Sequence, residues 1–446
     1  MKQQYIDLYK THSDSIKKHA PEIMNSRRDE AFTRFSELGF PASGQEDYRY
    51  SDFTKALAID YGLNLNRLKI PIHPNDIFTC SVPGIKSYLY YIVNDTFRTP
   101  SADKNEPLPE GVIIGSLKEC AMKYPDLVGK YYGKLSRQKN DGFIAFNEAF
   151  TQDGYFIYIP ENTEPEQPIQ IVNILRSDVD LMVNSRNLIV IEKAAKAKIL
   201  VCDHSLDDVR FFTNRLTEVF VGENAVYEHY KLESTHEKTG NVSTLLVEQQ
   251  ASSNVLTNII TLHNGVTRNN IEIALNGEQC QTLLCGMVLS DKEQRVDNFT
   301  SILHNKPDCH SNELFKYILD DNSVCGFTGR LIVAKDAQKT QAYQNNRNIM
   351  LTPTSRMRTK PQLEIYADDV RCSHGATIGQ LDENALFYMR SRGISTDEAR
   401  LLLMYAFTAD VVENIRIDAL RDRIKKMVEN RLRGESHKCT GCSICT

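Results

Sequence analysis

Between residues 143 and 380 the sequence runs through short stretches of alternating apolar and polar residues, each closed by a polar turn. No stretch there carries apolar residues at helical spacing for a helix's length. A segment of this kind excludes a doubly wound α/β fold, in which strands must alternate with helices. Tyr155–Ile159 ends at Pro160, and Ile169–Leu175, Leu188–Ile191 and Ile199–Cys202 follow. One unit then recurs from Val219 to Ala225, Ile273 to Cys280, Tyr317 to Val324, Leu331 to Ala337 and Leu363 to Val370. Each instance is a few alternating residues, a polar turn, and one small or apolar residue. A small inward residue after every turn suits a solenoid, whose coils must clear a common axis. Counted from Ala195, the equivalent positions lie 30, 55, 44, 13 and 33 residues apart. So uneven a period leaves a parallel β-helix and a β-sandwich or barrel pair both open.

The flanks read differently. Ile23, Met24, Phe32, Phe35 and Leu38 predict a helix from Pro21 to Leu38, stopped by Gly39. Residues 61–110 hold Pro71, Pro74, Pro83, Pro100, Pro107 and Pro109, too close together for long helices, with short strands such as Tyr88–Val93 between them. A further helix is expected over about 116–134. Beyond the strands, Asp382 to Arg392 predicts a helix stopped by Gly393, and Ser395-Thr396-Asp397-Glu398 is a capping box for a second. A third, from about Asp410 to Arg433, places Ile417, Leu420, Ile424, Met427 or Val428, and Leu432 on one stripe, which serves either core packing or partner docking. The expected division is a mixed helical region over 1–140, the strand region over 141–380, a helical region over 381–433 and a Cys-rich tail over 434–446.

Lys and Arg number 53 against 58 Asp and Glu, a net charge of −5 that argues against a general nucleic-acid binder. No apolar run approaches the ~20 residues of a membrane helix. The start, Met1-Lys2-Gln3-Gln4-Tyr5, leads into polar sequence without the apolar stretch of a secretory signal, so the expected compartment is the cytoplasm. There, the 11 cysteines are expected as reduced thiols or metal ligands rather than disulfides.

The chemistry is equally bounded. No phosphate loop, dinucleotide fingerprint, Gly-x-Ser-x-Gly elbow or His-Glu-x-x-His motif is present. Asp320-Asp321 and Asp368-Asp369 fall in predicted turns, where Asp serves the backbone. On a strand, Cys372 and His374 would point to one face, as a soft ligand pair for iron or zinc or as a nucleophile with its base. His304, Cys309 and His310 flank a turn at Pro307 and read as loop residues and a packed thiol. In the tail, Cys439, Cys442 and Cys445 form two consecutive Cys-x-x-Cys steps, with His437 as a candidate fourth ligand. The run begins like a ferredoxin motif but lacks its fourth cysteine and proline.

From Asp297 to Arg392 a resemblance becomes specific. It rests on Asp297-Asn298-Phe299-Thr300, Lys335-Asp336-Ala337-Gln338-Lys339-Thr340, Gln344-Asn345-Asn346-Arg347-Asn348, Thr359-Lys360-Pro361-Gln362-Leu363 and Cys372-Ser373-His374-Gly375-Ala376-Thr377. This pattern resembles the SufB/SufD family of iron–sulfur cluster assembly proteins. Ser-His-Gly-Ala-Thr sides with its SufD branch, since a Glu-His-Glu-Ala type of sequence is usual in the SufB branch. Gly39-Phe40-Pro41 with Glu46-Asp47-Tyr48-Arg49-Tyr50 matches the family's N-terminal motif, although a tryptophan is usual where Tyr48 stands. Phe143 to Phe150, with Asn147, also fits.

The resemblance implies a mainly β fold, a right-handed parallel β-helix core flanked by N-terminal and C-terminal helical regions. It implies a non-catalytic scaffold subunit of a SufBCD-type complex, paired with a SufB-like paralogue and docked to a SufC-like ABC ATPase through the C-terminal helices. It assigns His374, with Cys372 beside it, to an interface where a nascent iron–sulfur cluster forms transiently, with no permanently bound cofactor. The isolated chain could also pair with itself. SufB carries a cysteine in its β-helix as sulfur acceptor, and no clear counterpart stands between about Asn345 and Thr352. The tail belongs to no family pattern, so an autonomous iron or iron–sulfur carrier built on Cys439, Cys442, Cys445 and His437 is the alternative. A β-helix enzyme acting on carbohydrate is disfavoured by the missing export signal.

Overall fold

The computed structural model describes residues 2–18, 20–68, 70, 85–99, 106–137 and 139–434. Pro71, Pro74, Cys80, Pro83, Pro100 and the tail with His437, Cys439, Cys442 and Cys445 lie outside them. Its centre is a parallel β-solenoid, which settles the choice between a solenoid and a sandwich. Successive strands from Tyr155–Ile159 to Arg371–Gly379 go alternately to two sheets, making eight two-stranded turns. Every neighbour along this stack is parallel, and the register slips only between Val226–Ser234 and Asn254–His263, at Thr261 to His263; Val266–Leu275, for example, pairs with Arg295–His304 without a slip.

The turns are closed by a repeated corner. Asn162, Ala194, Asn224, Ser252, Gln279, Asp308 and Lys339 each hold a left-handed backbone with φ between 54° and 58°. They recur 27 to 32 residues apart. In each, the N–H donates to a carbonyl one turn further on, from Asn162 to Lys193 O (3.0 Å), Ala194 to Glu223 O (2.8 Å) and so on to Lys339 and Asp369 O (2.5 Å). This ladder satisfies backbone groups that a tight bend would otherwise strand, and it holds non-glycine residues where roughly 1–2 kcal/mol of local strain is expected. The next inward residue is small, as Ala195, Ala225, Ser253, Cys280 and Cys309 show, all buried. The irregular spacing in the sequence follows: the step of 55 skips the corner at Ser253, and Val324 starts a strand of the opposite sheet.

Between the sheets, half of the interior is a column of Ile, Val, Leu and aromatic side chains. The other half is polar, and its groups pair along the axis, within a strand and across the two sheets. Asn173 donates to Asp203 (2.7 Å), Lys231 to Glu233 (2.8 Å), Asn269 to Asn298 (2.9 Å) and Asn298 to the Tyr317 hydroxyl (2.6 Å).

Helices cover the two outer faces. The N-terminal region packs Tyr5, Phe35, Phe53, Phe143 and Phe146 against Met182, Phe212 and Val242 of one sheet. The helix Gly142–Phe150 is buried on all sides, which is why it lacks the amphipathic period expected of a helix and escaped the sequence pattern. Asp141 caps it by accepting from the N–H groups of Phe143 and Ile144, and a Cβ on Gly142 would stand 1.7 Å from Gly39 O. A buried Arg186–Glu218 pair (2.7 Å) clasps this region to the solenoid; Glu218 also accepts from the N–H groups of Gly133, Leu135 and Ser136. With its oxygens hydrogen-bonded, the carboxylate avoids the full cost of a buried charge.

The segment Glu46 to Ser51 straps this region to the late turns. Glu46 pairs with Lys360 (2.8 Å) and Asp47 with Arg330 (2.7 Å). Arg268 donates to Asp47 O (2.7 Å), stacks over the Tyr48 ring at 4.5 Å and pairs with Asp297 (2.5 Å).

At the other end of the chain, the helices Thr396–Val412 and Asp418–Leu432 lie on the second sheet. Leu420, Ile424 and Val428 are buried against it, so the stripe packs the core. The helix expected from Asp410 starts only at Asp418, because Asp410 lies in the last turn of the first helix, which ends at Val412, and the chain turns at Glu413 to Ile417. Ser395 caps the first of them through Glu398 N (3.3 Å). No helix among the described residues is long and apolar enough to cross a membrane.

Candidate functional site

The solenoid's last turn ends in two edge strands, Arg356–Ile365 and Arg371–Gly379, each paired on one side only. An unpaired strand edge offers a row of N–H and C=O groups to another chain. Pro361, which lacks an N–H, interrupts the first edge; the second carries no proline. Along it, Gly375 and Gly379 have open space where a Cβ would point. Around it, Ile378 and Tyr366 are exposed; further along the chain Phe387, 73% exposed, stands on the helix Glu383–Ser391, which buries no residue.

Cys372 and His374 sit on this strand, two residues apart and therefore on one face, as the sequence predicts. Cys372 is half-buried, packed with Leu331, Val333 and Ala342. Burial pushes its thiol pKa up, so it is not an activated thiolate in the free chain. His374 is exposed at the mouth of the solenoid. Its strand neighbour in register is Gln344, and that of Gln344 is Glu313. Below Glu313 lies Leu284, in the central core, so the column faces inward. Gln344 Nε2 donates to Glu313 Oε2 at 2.7 Å. The Glu313 carboxyl is fully enclosed, and burial pushes its pKa up to about 7 against the partial relief of Thr300 and Gln344. Neither Glu313 nor the role of Gln344 was visible in the sequence, since only the register brings them beneath His374.

The other candidates separate. His304 is buried, hydrogen-bonded through Nε2 to Ser311 Oγ (2.8 Å), and burial lowers its pKa to about 4. Cys309 turns into the corner column, its Sγ 3.3 Å from Gly277 O, while His310 lies outside against Tyr343. Asp320 and Asp321 shape a turn, with Asp321 at a positive φ of 50°. Among the described residues, no three His, Cys, Asp or Glu side chains converge as a metal site.

The family model for the SUF system FeS cluster assembly SufBD core domain matches residues 174–407, and that for the SufBD protein N-terminal region matches residues 1–171. The chain belongs to the SufBD family. This SufBD protein is 28% identical over 421 residues to an iron–sulfur cluster assembly SufBD family protein of Synechocystis, covering 92% of this chain and 91% of that one. It is 32% identical over 297 residues to the iron–sulfur cluster assembly protein SufD of Escherichia coli, covering 66% and 70%. To the SufD of Bacillus subtilis it is 24% identical over 348 residues, covering 77% and 79%. The core-domain match spans both the open edge with Cys372 and His374 and the Glu313–Gln344 column beneath it. It is an iron–sulfur cluster assembly protein of the SufBD family.

Proposed function

We propose that this SufBD protein is a SufD-type scaffold subunit, acting in the cytoplasm, that completes an iron–sulfur assembly site only when a SufB-like paralogue adds to its open strand edge. The observation that carries this reading is the placement of Cys372 and His374 on an edge strand, paired on one side only and free of proline, at the end of the solenoid opposite the hairpin Tyr88–Arg98. Strand addition supplies main-chain hydrogen bonds, and the exposed apolar side chains around the edge supply burial. Two ligands on an edge fall short of the four that an iron–sulfur cluster takes, so the partner contributes the rest. The nascent cluster is cargo, bound while the two edges are joined. A SufC-like ABC ATPase docks on the exposed side of the C-terminal helices, where Phe387 and Tyr388 are exposed, and its motion on nucleotide binding opens and closes the interface.

The test is co-expression with the paralogue and the ATPase, followed by size-exclusion with mass determination and by cluster formation from supplied iron and sulfide. His374→Ala is expected to keep the complex and lower cluster formation at least tenfold; formation at the wild-type rate overturns the site assignment. Phe387→Ala with Tyr388→Ala is expected to lose the ATPase and keep the paralogue; retention of both sends the docking surface elsewhere. These surface variants spare the helices 396–432, whose removal would bare the core residues they bury.

A further inference from the structure

A histidine that binds metal through one ring nitrogen usually gives its other N–H to a fixed acceptor, which sets the tautomer and aims the ring. At the mouth of the solenoid the group beneath His374 is the Gln344 side-chain amide. The two strands are in register, side chains on one face, with backbones about 4.8 Å apart. Gln344 Nε2 is committed downward to Glu313, and Oε1, though buried, has no hydrogen-bond partner. The facing strand leaves room for this amide through a glycine: a Cβ on Gly329 would lie 2.2 Å from Gln344 Nε2. An unpartnered buried acceptor, a committed donor and a cleared space together define an amide built to hold one orientation, or to exchange between two.

We propose that Glu313 and Gln344 form a proton-controlled amide switch that positions His374. With Glu313 ionised, its carboxylate accepts from Gln344 Nε2, and Oε1 is turned to the mouth to accept the ring N–H of His374. The opposite nitrogen then faces outward with its lone pair free for iron. When Glu313 takes up a proton from solvent at the mouth, the carboxyl O–H donates to Oε1 instead. The amide turns over, its NH2 group faces the ring, and the N–H donor of His374 loses its acceptor. One proton is gained and no electron moves. The carboxyl titrates near neutrality, because burial raises it to about 7. The titratable groups that sense it, Cys285 on the neighbouring strand and Tyr317 on its own, are both held neutral by burial; Thr300 and Gln344 are the polar groups facing it. Glu313 is thus a positioning residue, and this inference rests on the assignment of His374 to the assembly site.

The experiment compares the wild-type complex with Glu313→Gln at pH 6 and pH 8. The glutamine does not titrate, so the balance of amide orientations it sets with Gln344 is the same at either pH. One unit below its midpoint, about one Glu313 in eleven is ionised. The ratio of variant to wild-type cluster formation is therefore expected to rise about tenfold from pH 8 to pH 6. A ratio unchanged within about twofold overturns the switch. The full chain alone gives a second readout: the Gln344 side-chain amide resonance, assigned through Gln344→Met, is expected to shift between pH 6 and 8 in the wild type and to stay fixed in Glu313→Gln. A static wild-type resonance overturns the proposal whether or not the variant folds well. If His374→Ala leaves cluster formation intact while the amide still titrates, the site assignment fails and the switch stands as a local device.

Discussion

The two ends of the solenoid share one strand geometry and are finished in opposite ways. At the first, Tyr88–Val93 lies parallel against Ile169–Leu175 and is itself covered by the antiparallel Thr96–Arg98, while Ile113–Ser116 runs antiparallel along Tyr155–Ile159. At the last, Arg371–Gly379 has a partner on one side only, and its His374, Gly375 and Ile378 are exposed. Bare edges invite unwanted pairing, and proteins usually blunt them. This chain spends the hairpin Tyr88–Arg98 and a further strand on covering one end and leaves the other open, with Cys372 and His374 on the open strand. On the proposed function, the last turn is the working face and the first a stopper.

The comparison is broken most sharply by truncating a core residue at the covered end. Ile92→Ala, at a buried position beside Asn173, is expected to cost about 2–5 kcal/mol in urea denaturation. Ile378→Ala at the open end should cost far less; equal losses would remove the distinction between stopper and working face.

A second expectation uses pH. The raised pKa of Glu313 favours its neutral form in the fold, so stability relative to Glu313→Gln falls as pH rises from about 4.5 to about 7, by of order 3 kcal/mol. His204, His229 and His304 act with the opposite sign. Burial lowers them to about 4, 3 and 4, so they withdraw stability as pH falls below about 6.5, in wild type and variant alike. Subtracting the two melting curves isolates the carboxyl; a difference that is flat with pH would show Glu313 ionised throughout.

The smallest effect on the free chain sharpens the comparison most. Ile378→Lys should change stability by no more than about 0.5 kcal/mol, since the side chain is already exposed, yet abolish pairing with the paralogue in size-exclusion. Retained pairing would move the interface off this edge.

Much of the architecture was legible. The alternating runs and the small residues Ala195, Ala225 and Cys280 pointed to a solenoid, and the spacing of Cys372 and His374 placed them on one face. The period was hidden because left-handed corners usually announce themselves with glycine, and here Ala194, Ser252, Gln279 and Lys339 occupy them, held by the ladder of N–H groups that only stacked turns can form. The helix Gly142–Phe150 was missed because a segment buried on every side has no polar face. Glu313 and Gln344 were missed because they are 31 and 30 residues from their stacking neighbours Gln344 and His374, and register decides which side chains meet.

The strap at Glu46 to Ser51 has a consequence for how the molecule is made. Its ion pair with Lys360 joins residues 314 apart. At the usual 5–20 residues per second of synthesis, roughly 15–60 s separate the birth of one partner from that of the other. For that interval the N-terminal helices can bury their aromatic faces on the early turns, but the strap hangs loose over a sheet not yet made. Its closure on Arg268, Arg330 and Lys360 is therefore a late step of biosynthesis, taken as the turns that carry His374 leave the ribosome.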